Sequence, residues 1–194
     1  MGIINFDKYY ANEKCYWGLK PSKLVEEILK YKKSGSVLDL GCGEGRNALF
    51  LAKKGFDVTG IDISKEGIKK LERIAKEYNV KIKSFVQEIS NFPCINYDII
   101  MSIVTLHFFE KDEIGRLVEK IKNYTSENGL NIISVFTEKN PYKKFPYLFK
   151  QDELRNLYEN WEILHYREFI TPLKKRKNRL FRRSIAELIA KKIK

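Results

Sequence analysis

From residue 36 to residue 136, short apolar runs alternate with stretches whose apolar residues recur every three or four positions. The first pattern suits buried strands and the second suits one face of a helix. Val37, Leu38 and Leu40 predict a strand, Ala48, Leu49, Leu51 and Ala52 a helix that Gly55 stops, and Val58 to Ile61 a second strand ending on Asp62. Ser64 reads as the N-cap of the next helix (Ile68, Leu71, Ile74, Ala75), with Gly67 where a capping box would place Glu. Strands follow at Lys83–Glu88 and Tyr97–Val104, then a helix over Asp112–Asn123, a Glu127-Asn128-Gly129 turn and a strand over Leu130–Phe136. Ahead of all these, Pro21 and Ser22 open an amphipathic helix (Leu24, Val25, Ile28, Leu29) that Ser34-Gly35 ends. Such alternation predicts an α/β fold built on a parallel sheet with helices on both faces. Beyond Phe136 the pattern changes to a Pro- and aromatic-rich loop over 137–149, a short helix over Gln151–Tyr158 and a strand over Trp161–Ile170. The last piece is ambiguous, because Ile185, Leu188 and Ile189 have helical spacing.

With 194 residues, 43% of them hydrophobic, there is room for one α/β domain with a sizeable core, and no repeat or second domain is expected. No apolar stretch is long enough to span a bilayer. The first residues lack the basic-then-apolar layout of a signal peptide, and Gly2 lacks the Ser or Thr of a myristoylation site. A cytoplasmic protein with no membrane partner is expected. Cys15, Cys42 and Cys94 are odd in number and unclustered, so neither a disulfide frame nor a metal site is suggested. The net charge of +12 is concentrated, with 15 Lys/Arg against 6 Asp/Glu in 141–194 and 22 against 19 before it. Much of the excess lies in Lys174 to Arg183, a run that suits either an anionic substrate or nucleic acid, or simply a solvated loop.

The chemistry concentrates between Val37 and Ser64. The first strand ends in three glycines at alternate positions, Gly41, Gly43 and Gly45, and a carboxylate, Asp62, ends the second strand about 20 residues later. That arrangement holds a nucleoside, with Asp62 able to accept both ribose hydroxyl hydrogen bonds. A dinucleotide site wants G-x-G-x-x-G to seat pyrophosphate on a helix N-terminus. Here the pattern is D-x-G-x-G-x-G, and Asp39 would repel a pyrophosphate while suiting an ammonium or sulfonium cation. Ligands of parallel sheets sit beyond the carboxyl ends of the strands, a rim that collects Asp39, Gly41–Gly45, Asp62, Glu88 and the segment from Ser102 to Phe109. Glu88 and Ile89 would flank an adenine there, or form a surface turn. The glycine pattern with Asp39 and Asp62 resembles motif I and the ribose-binding acid of the class I S-adenosylmethionine (SAM) methyltransferases.

Within that group the chain is most similar to the tellurite-resistance (TehB-type) methyltransferases. The similarity is carried by L-D-L-G-C-G-E-G-R-N from Leu38 to Asn47, by Tyr97-Asp98-Ile99-Ile100, and by F-P-Y-L-F-K-Q-D-E-L-R-N-L-Y-E-N-W from Phe145 to Trp161. It implies a Rossmann-like class I fold: a seven-stranded, mostly parallel sheet closed by an antiparallel C-terminal hairpin, which makes roughly 179–190 a strand. It divides the single domain into a lid and helix (1–34), a SAM-binding core (35–136) and an acceptor-side loop with the hairpin (137–194). SAM is the implied cofactor, held by Trp17, Asp39, Gly41, Cys42, Gly43, Arg46, Asn47, Asp62, Ile63, Glu88, Ile89, Ser102 and Val104. The implied acceptor is a small soft or anionic molecule, a tellurite or selenite oxyanion or a thiol, methylated by in-line displacement. Tyr16-Trp17-Gly18-Leu19-Lys20-Pro21 resembles the lead-in of thiol methyltransferases that closes over the methionine end.

Two stretches depart from the family pattern: Thr137-Glu138 stands where an Asp is usual, and Lys174-Lys175-Arg176 where His-Arg is usual. No catalytic residue is assigned. Lys174, Lys175 and Arg176 could gather an anionic acceptor, with Trp17, Tyr142 and Phe145 as a lid. His107 could take an acceptor proton, or serve structure alone. An RNA methyltransferase using the basic C-terminal region and a non-catalytic SAM-binding regulator are the alternatives. The sequence is silent on oligomeric state.

Overall fold

A computed structural model describes the backbone of residues 5–176 and 179–193; the side chains of 174–179 lie outside the described residues. The chain divides into two compact units, residues 1–101 and 102–194, and the division falls inside a strand.

The first unit begins with a short helix, α1 (Asp7–Tyr10), that no periodicity announces. The expected helix after Ser22 is there, but only Lys23–Glu26 (α2) is α-helical; Glu27–Lys30 tightens into a 3-10 turn, a common way for a helix to end. Next come β1 (Ser36–Leu40), α3 (Arg46–Lys53), β2 (Asp57–Asp62), α4 (Lys65–Glu77) and β3 (Ile82–Val86). β1 is parallel to β2 on one side and to β4 (Tyr97–Ile103) on the other. Its inner position explains why Val37, Leu38 and Leu40 are all fully buried and why Asp39 between them is buried too. Asp98 ties β4 to the start of β1, accepting from Ser36 N–H at 2.8 Å and from the Ser36 hydroxyl at 3.0 Å. Ser64 caps α4 as the sequence suggests, its hydroxyl accepting from Gly67 N–H at 3.0 Å.

The second unit holds α5 (Lys111–Asn123), β5 (Thr125–Phe136), α6 (Glu153–Asn156) and β6 (Glu162–Ile170). α5 opens with a Glu110/Glu113 capping box. Strand β5 starts five residues earlier than the pattern implies, and Asn128 (φ 57°) is a kink within it. The expected last strand divides into β8 (Arg179–Phe181), which pairs with β7 (Lys174–Arg176), and β9 (Ser184–Lys191). β9 runs antiparallel to both β5 and β6. The seven-stranded sheet has the order β3-β2-β1-β4-β5-β9-β6. It is a mixed sheet with antiparallel C-terminal strands, and the order reverses between β1 and β4. No helix among the described residues is long and apolar enough to cross a membrane.

Candidate functional site

In parallel sheets ligands sit beyond the carboxyl ends of the strands where the order reverses, and the glycine loop lies at that end of β1. Gly41 and Cys42 donate N–H bonds of 2.9 and 3.0 Å to Ile61 O, which fastens the loop to β2. Gly43 (φ 54°) and Gly45 (φ 83°) take left-handed conformations that an L side chain rarely adopts. Space forbids a side chain as well: a Cβ on Gly43 would lie 2.8 Å from Tyr10 Oη, and one on Gly45 2.1 Å from Leu71 Cδ1. So shaped, the loop aims Gly43 N–H at Asp62 Oδ2 (2.7 Å), while Ser64 N–H reaches Asp62 Oδ1 (2.8 Å). The carboxylate still has lone-pair capacity to offer a hydroxyl. Burial, with a smaller push from the Asp7 charge, raises the Asp62 pKa against the pull of three amides, those of Ser64, Gly43 and Ile63.

Asp39 lies one strand away and fully out of water. Its Oδ2 has no hydrogen-bond partner, and burial, then the Asp62 charge, pushes its pKa up to about 7 against the opposing charge of Arg46. The Arg46 guanidinium is itself held low by burial. An unpartnered buried carboxylate beside a second one is a place that a cation stabilises. The donor set therefore fits a nucleoside that carries positive charge.

The other expected cofactor residues fall into distinct places. The Cys42 side chain packs into a cluster with Leu49, Ile68, Leu71, Ile74 and Ala75, against which Cys15 also rests, so burial raises its thiol pKa. Asn47 is buried with its carbonyl oxygen accepting from Ser22 N–H at 2.9 Å. Ile63 and Trp17 are exposed. Glu88 is exposed, and Ile89 is buried at the head of the 3-10 turn Ile89–Asn91.

Two residues outside the expected set organise this region. Glu44, the charged residue inside the glycine loop, pairs with Lys70 of α4 at 2.7 Å, and both side chains are buried. The other Glu44 oxygen accepts from Tyr16 N–H (2.7 Å) and Trp17 N–H (3.4 Å). Lys70 Nζ also donates to Asn12 O and Lys14 O. The sequence did hold a signal, because Lys70 shares the helix face of Gly67, Leu71 and Ile74, a lysine on a core face. Nearer the N-terminus, Asp7 Oδ1 accepts from the Ser64 hydroxyl (2.5 Å) and Glu66 N–H (3.1 Å). The Trp17 side chain hydrogen-bonds Tyr10, whose phenol pKa is raised by burial and by Asp62.

In the second unit, Ser102 is fully buried with its hydroxyl unpartnered. Val104 ends β4 because it turns left-handed (φ 60°), donating N–H to Ser134 O at 2.8 Å. A β-branched residue in that conformation is strained. His107 lies in the 3-10 turn Leu106–Phe108, fully buried and stacked on Phe136 (4.1 Å, 24°) with the Phe145 edge at 4.9 Å. Burial, then the Arg183 charge, lowers its pKa to about 3. Its Nδ1 accepts from Phe136 N–H at 3.4 Å and its Nε2 has no partner. The ring is therefore neutral at pH 7, with the proton on Nε2 and the basic nitrogen already engaged. Tyr142 is exposed and donates to Leu180 O at 3.2 Å. The side chains of Lys174, Lys175 and Arg176 lie outside the described residues.

The sequence and the fold both have relatives among known proteins. A model of the family described as tellurite resistance protein TehB matches residues 3–185. The probable S-adenosyl-L-methionine-dependent methyltransferase TehB of Haemophilus influenzae is 32% identical over 176 residues, covering 86% of this chain and 62% of that protein. This chain therefore spans less than two thirds of that relative's length. The crystal structure of TehB from Haemophilus influenzae superposes with a TM-score of 0.81 at 29% identity, over 96% of this chain and 65% of the other. The SAH-bound magnesium protoporphyrin IX methyltransferase of Synechocystis PCC 6803 shares the fold, with a TM-score of 0.68 at 18% identity over 87% of this chain and 80% of its own. By sequence and by fold, the chain belongs to the tellurite resistance protein TehB family and has a class I methyltransferase architecture.

Proposed function

We propose that this protein is a SAM-dependent methyltransferase whose acceptor is a small soft or anionic molecule, a tellurite or selenite oxyanion or a thiol. The observation that carries the cofactor assignment is Asp39, a buried carboxylate with one oxygen unpartnered beside the Gly43–Asp62 cradle. SAM, when bound, supplies a methyl carbon activated by a sulfonium. Asp62 would hold the ribose hydroxyls, the glycine loop would leave room for the nucleoside, and Asp39 would face the positive charge. The naming of the Haemophilus influenzae relative supports the same reading. For the acceptor, a soft anion needs alignment and exclusion of water more than proton transfer, which suits a site where His107 holds no spare basic nitrogen. The basic run that includes Lys174, Lys175 and Arg176 would collect such an anion.

Methyl-labelled SAM incubated with selenite, tellurite, small thiols and total RNA tests this. Label is expected in the volatile or small-molecule fraction; label in RNA would overturn the acceptor assignment. Asp62→Ala is expected to weaken SAM binding at least about ten-fold, and unchanged calorimetric affinity would sink the cradle assignment.

A further inference from the structure

The charged pair Glu44–Lys70 is buried on both sides and directs its hydrogen bonds to the protein itself. Burying two charges is unfavourable unless their remaining hydrogen-bonding capacity is also filled. Here it is filled from one source. Lys70 Nζ has three protons: one goes to Glu44 Oε1 (2.7 Å), one to Asn12 O (2.5 Å) and one to Lys14 O (3.5 Å). Glu44 Oε2 accepts from Tyr16 and Trp17. Four main-chain groups within residues 12–17 thus satisfy a pair that links the glycine loop to α4. The same segment carries Trp17 to Tyr10, and Tyr10 Oη rests where a Gly43 side chain would have to be. Gly43 N–H in turn holds Asp62. The charges and the cofactor cradle share one short chain of contacts.

We propose that Glu44 and Lys70 are positioning residues that latch residues 12–17 onto the glycine loop and thereby set how long the cofactor is retained; this rests on the function proposed above. The latch is closed by backbone groups, so it depends on where the segment lies rather than on its side chains. When the segment lifts, water must replace four charge-assisted hydrogen bonds at once, which makes opening infrequent yet reversible. Glu44 and Lys70 act through the segment they hold rather than on the chemistry, so their effect falls on binding and release.

The test is a chase of bound methyl-labelled SAM from the wild type, Glu44→Gln, Lys70→Met, the double variant and Lys70→Arg. Each neutralising single variant leaves one buried charge unpaired and is expected to speed release at least about ten-fold. The KM for SAM should rise with kcat unchanged. The double variant should release more slowly than the two single effects combined would give, and Lys70→Arg should stay near wild type. Hydrogen exchange at the Tyr16 and Trp17 amides should quicken in the same variants, and in the unmodified chain these two amides should open together. Single variants with wild-type release and wild-type amide protection overturn the latch. If the wild type itself retains no SAM, the proposed function fails, and the amide exchange of the wild type against Glu44→Gln still decides the latch. Variants that do not fold leave the decision to the unmodified chain, where separate opening of the two amides would overturn it.

Discussion

Residues 1–101 and residues 102–194 both bury polar side chains, but they satisfy them in different ways. In the first unit Glu44, Asn47, Asp62, Ser64 and Lys70 all bond to backbone groups of loops and helix ends, and among the described residues Asp39 alone keeps an unpartnered atom. In the second, Ser102, His107, Asn131, Asn140, Tyr158 and His165 each keep one. A buried unpaired polar atom is unfavourable by about 1–3 kcal/mol, so the two units carry different burdens. The first is built around main-chain geometry, which leaves little latitude at any position. The second mixes backbone partners (His107, Thr125, Asn140) with side-chain pairs (Asn131–Thr125, Thr137–Ser184) and retains spare donors and acceptors. The close-fitted, more rigidly specified half is the one that carries the glycine loop, Asp39 and Asp62, and the half with unspent polar groups is the one that carries His107.

The largest expected effect breaks the rigid half. Gly45→Ala must accept a left-handed backbone and a Cβ in the space of Leu71. Strain and overpacking together should cost about 2–4 kcal/mol in urea denaturation; a loss below about 1 kcal/mol would show that the loop yields.

A pH titration of stability sharpens the contrast, because the two units should respond with opposite slopes. Folded Asp39, raised to about 7 by burial and then Asp62, keeps a proton that the unfolded chain releases near 3.8. Its contribution is full at low pH and is lost as pH rises through that window. Asp39→Asn should remove this decline. Folded His107, lowered to about 3 by burial and then Arg183, lacks a proton that the unfolded chain binds below 6.5. Stability from this group is full above 6.5 and is lost as pH falls toward 3, and His107→Phe should remove that loss. Wild-type pH profiles in both variants would refute the assigned burial. The smallest effect marks slack in the second half: Gly115 lies inside α5 with nothing within 4 Å of an added Cβ. Gly115→Ala should stabilise by about 0.5–1 kcal/mol in the same assay.

What could be read from the sequence follows the same division. The glycine spacing, the Asp62 ending of β2 and the Ser64 cap are local, set by residues a few positions apart, and the structure has them where the pattern implies. The Glu44–Lys70 pair joins positions 26 residues apart, and only the oddity of a lysine on a core face hinted at it. β9 was ambiguous for a different reason. It is hydrogen-bonded to β5 and β6, and its buried residues run almost without a break, so the alternation that marks a half-exposed strand is missing. Val104 stopped β4 early through a left-handed conformation that apolar patterning does not encode.

The tight space around the glycine loop also bears on how such a chain can vary by descent. Gly43 leaves room for Tyr10, Gly45 for Leu71, and Gly60 for Cys42, whose Sγ would stand 3.0 Å from an added Cβ. Leu71 closes on Gly60 as well, at 3.5 Å. These positions interlock across β2, α1, α4 and the loop, so none is free to drift by itself. A lineage that enlarged one of them is expected to need a compensating change in its counterpart, which ties the inheritance of these positions together.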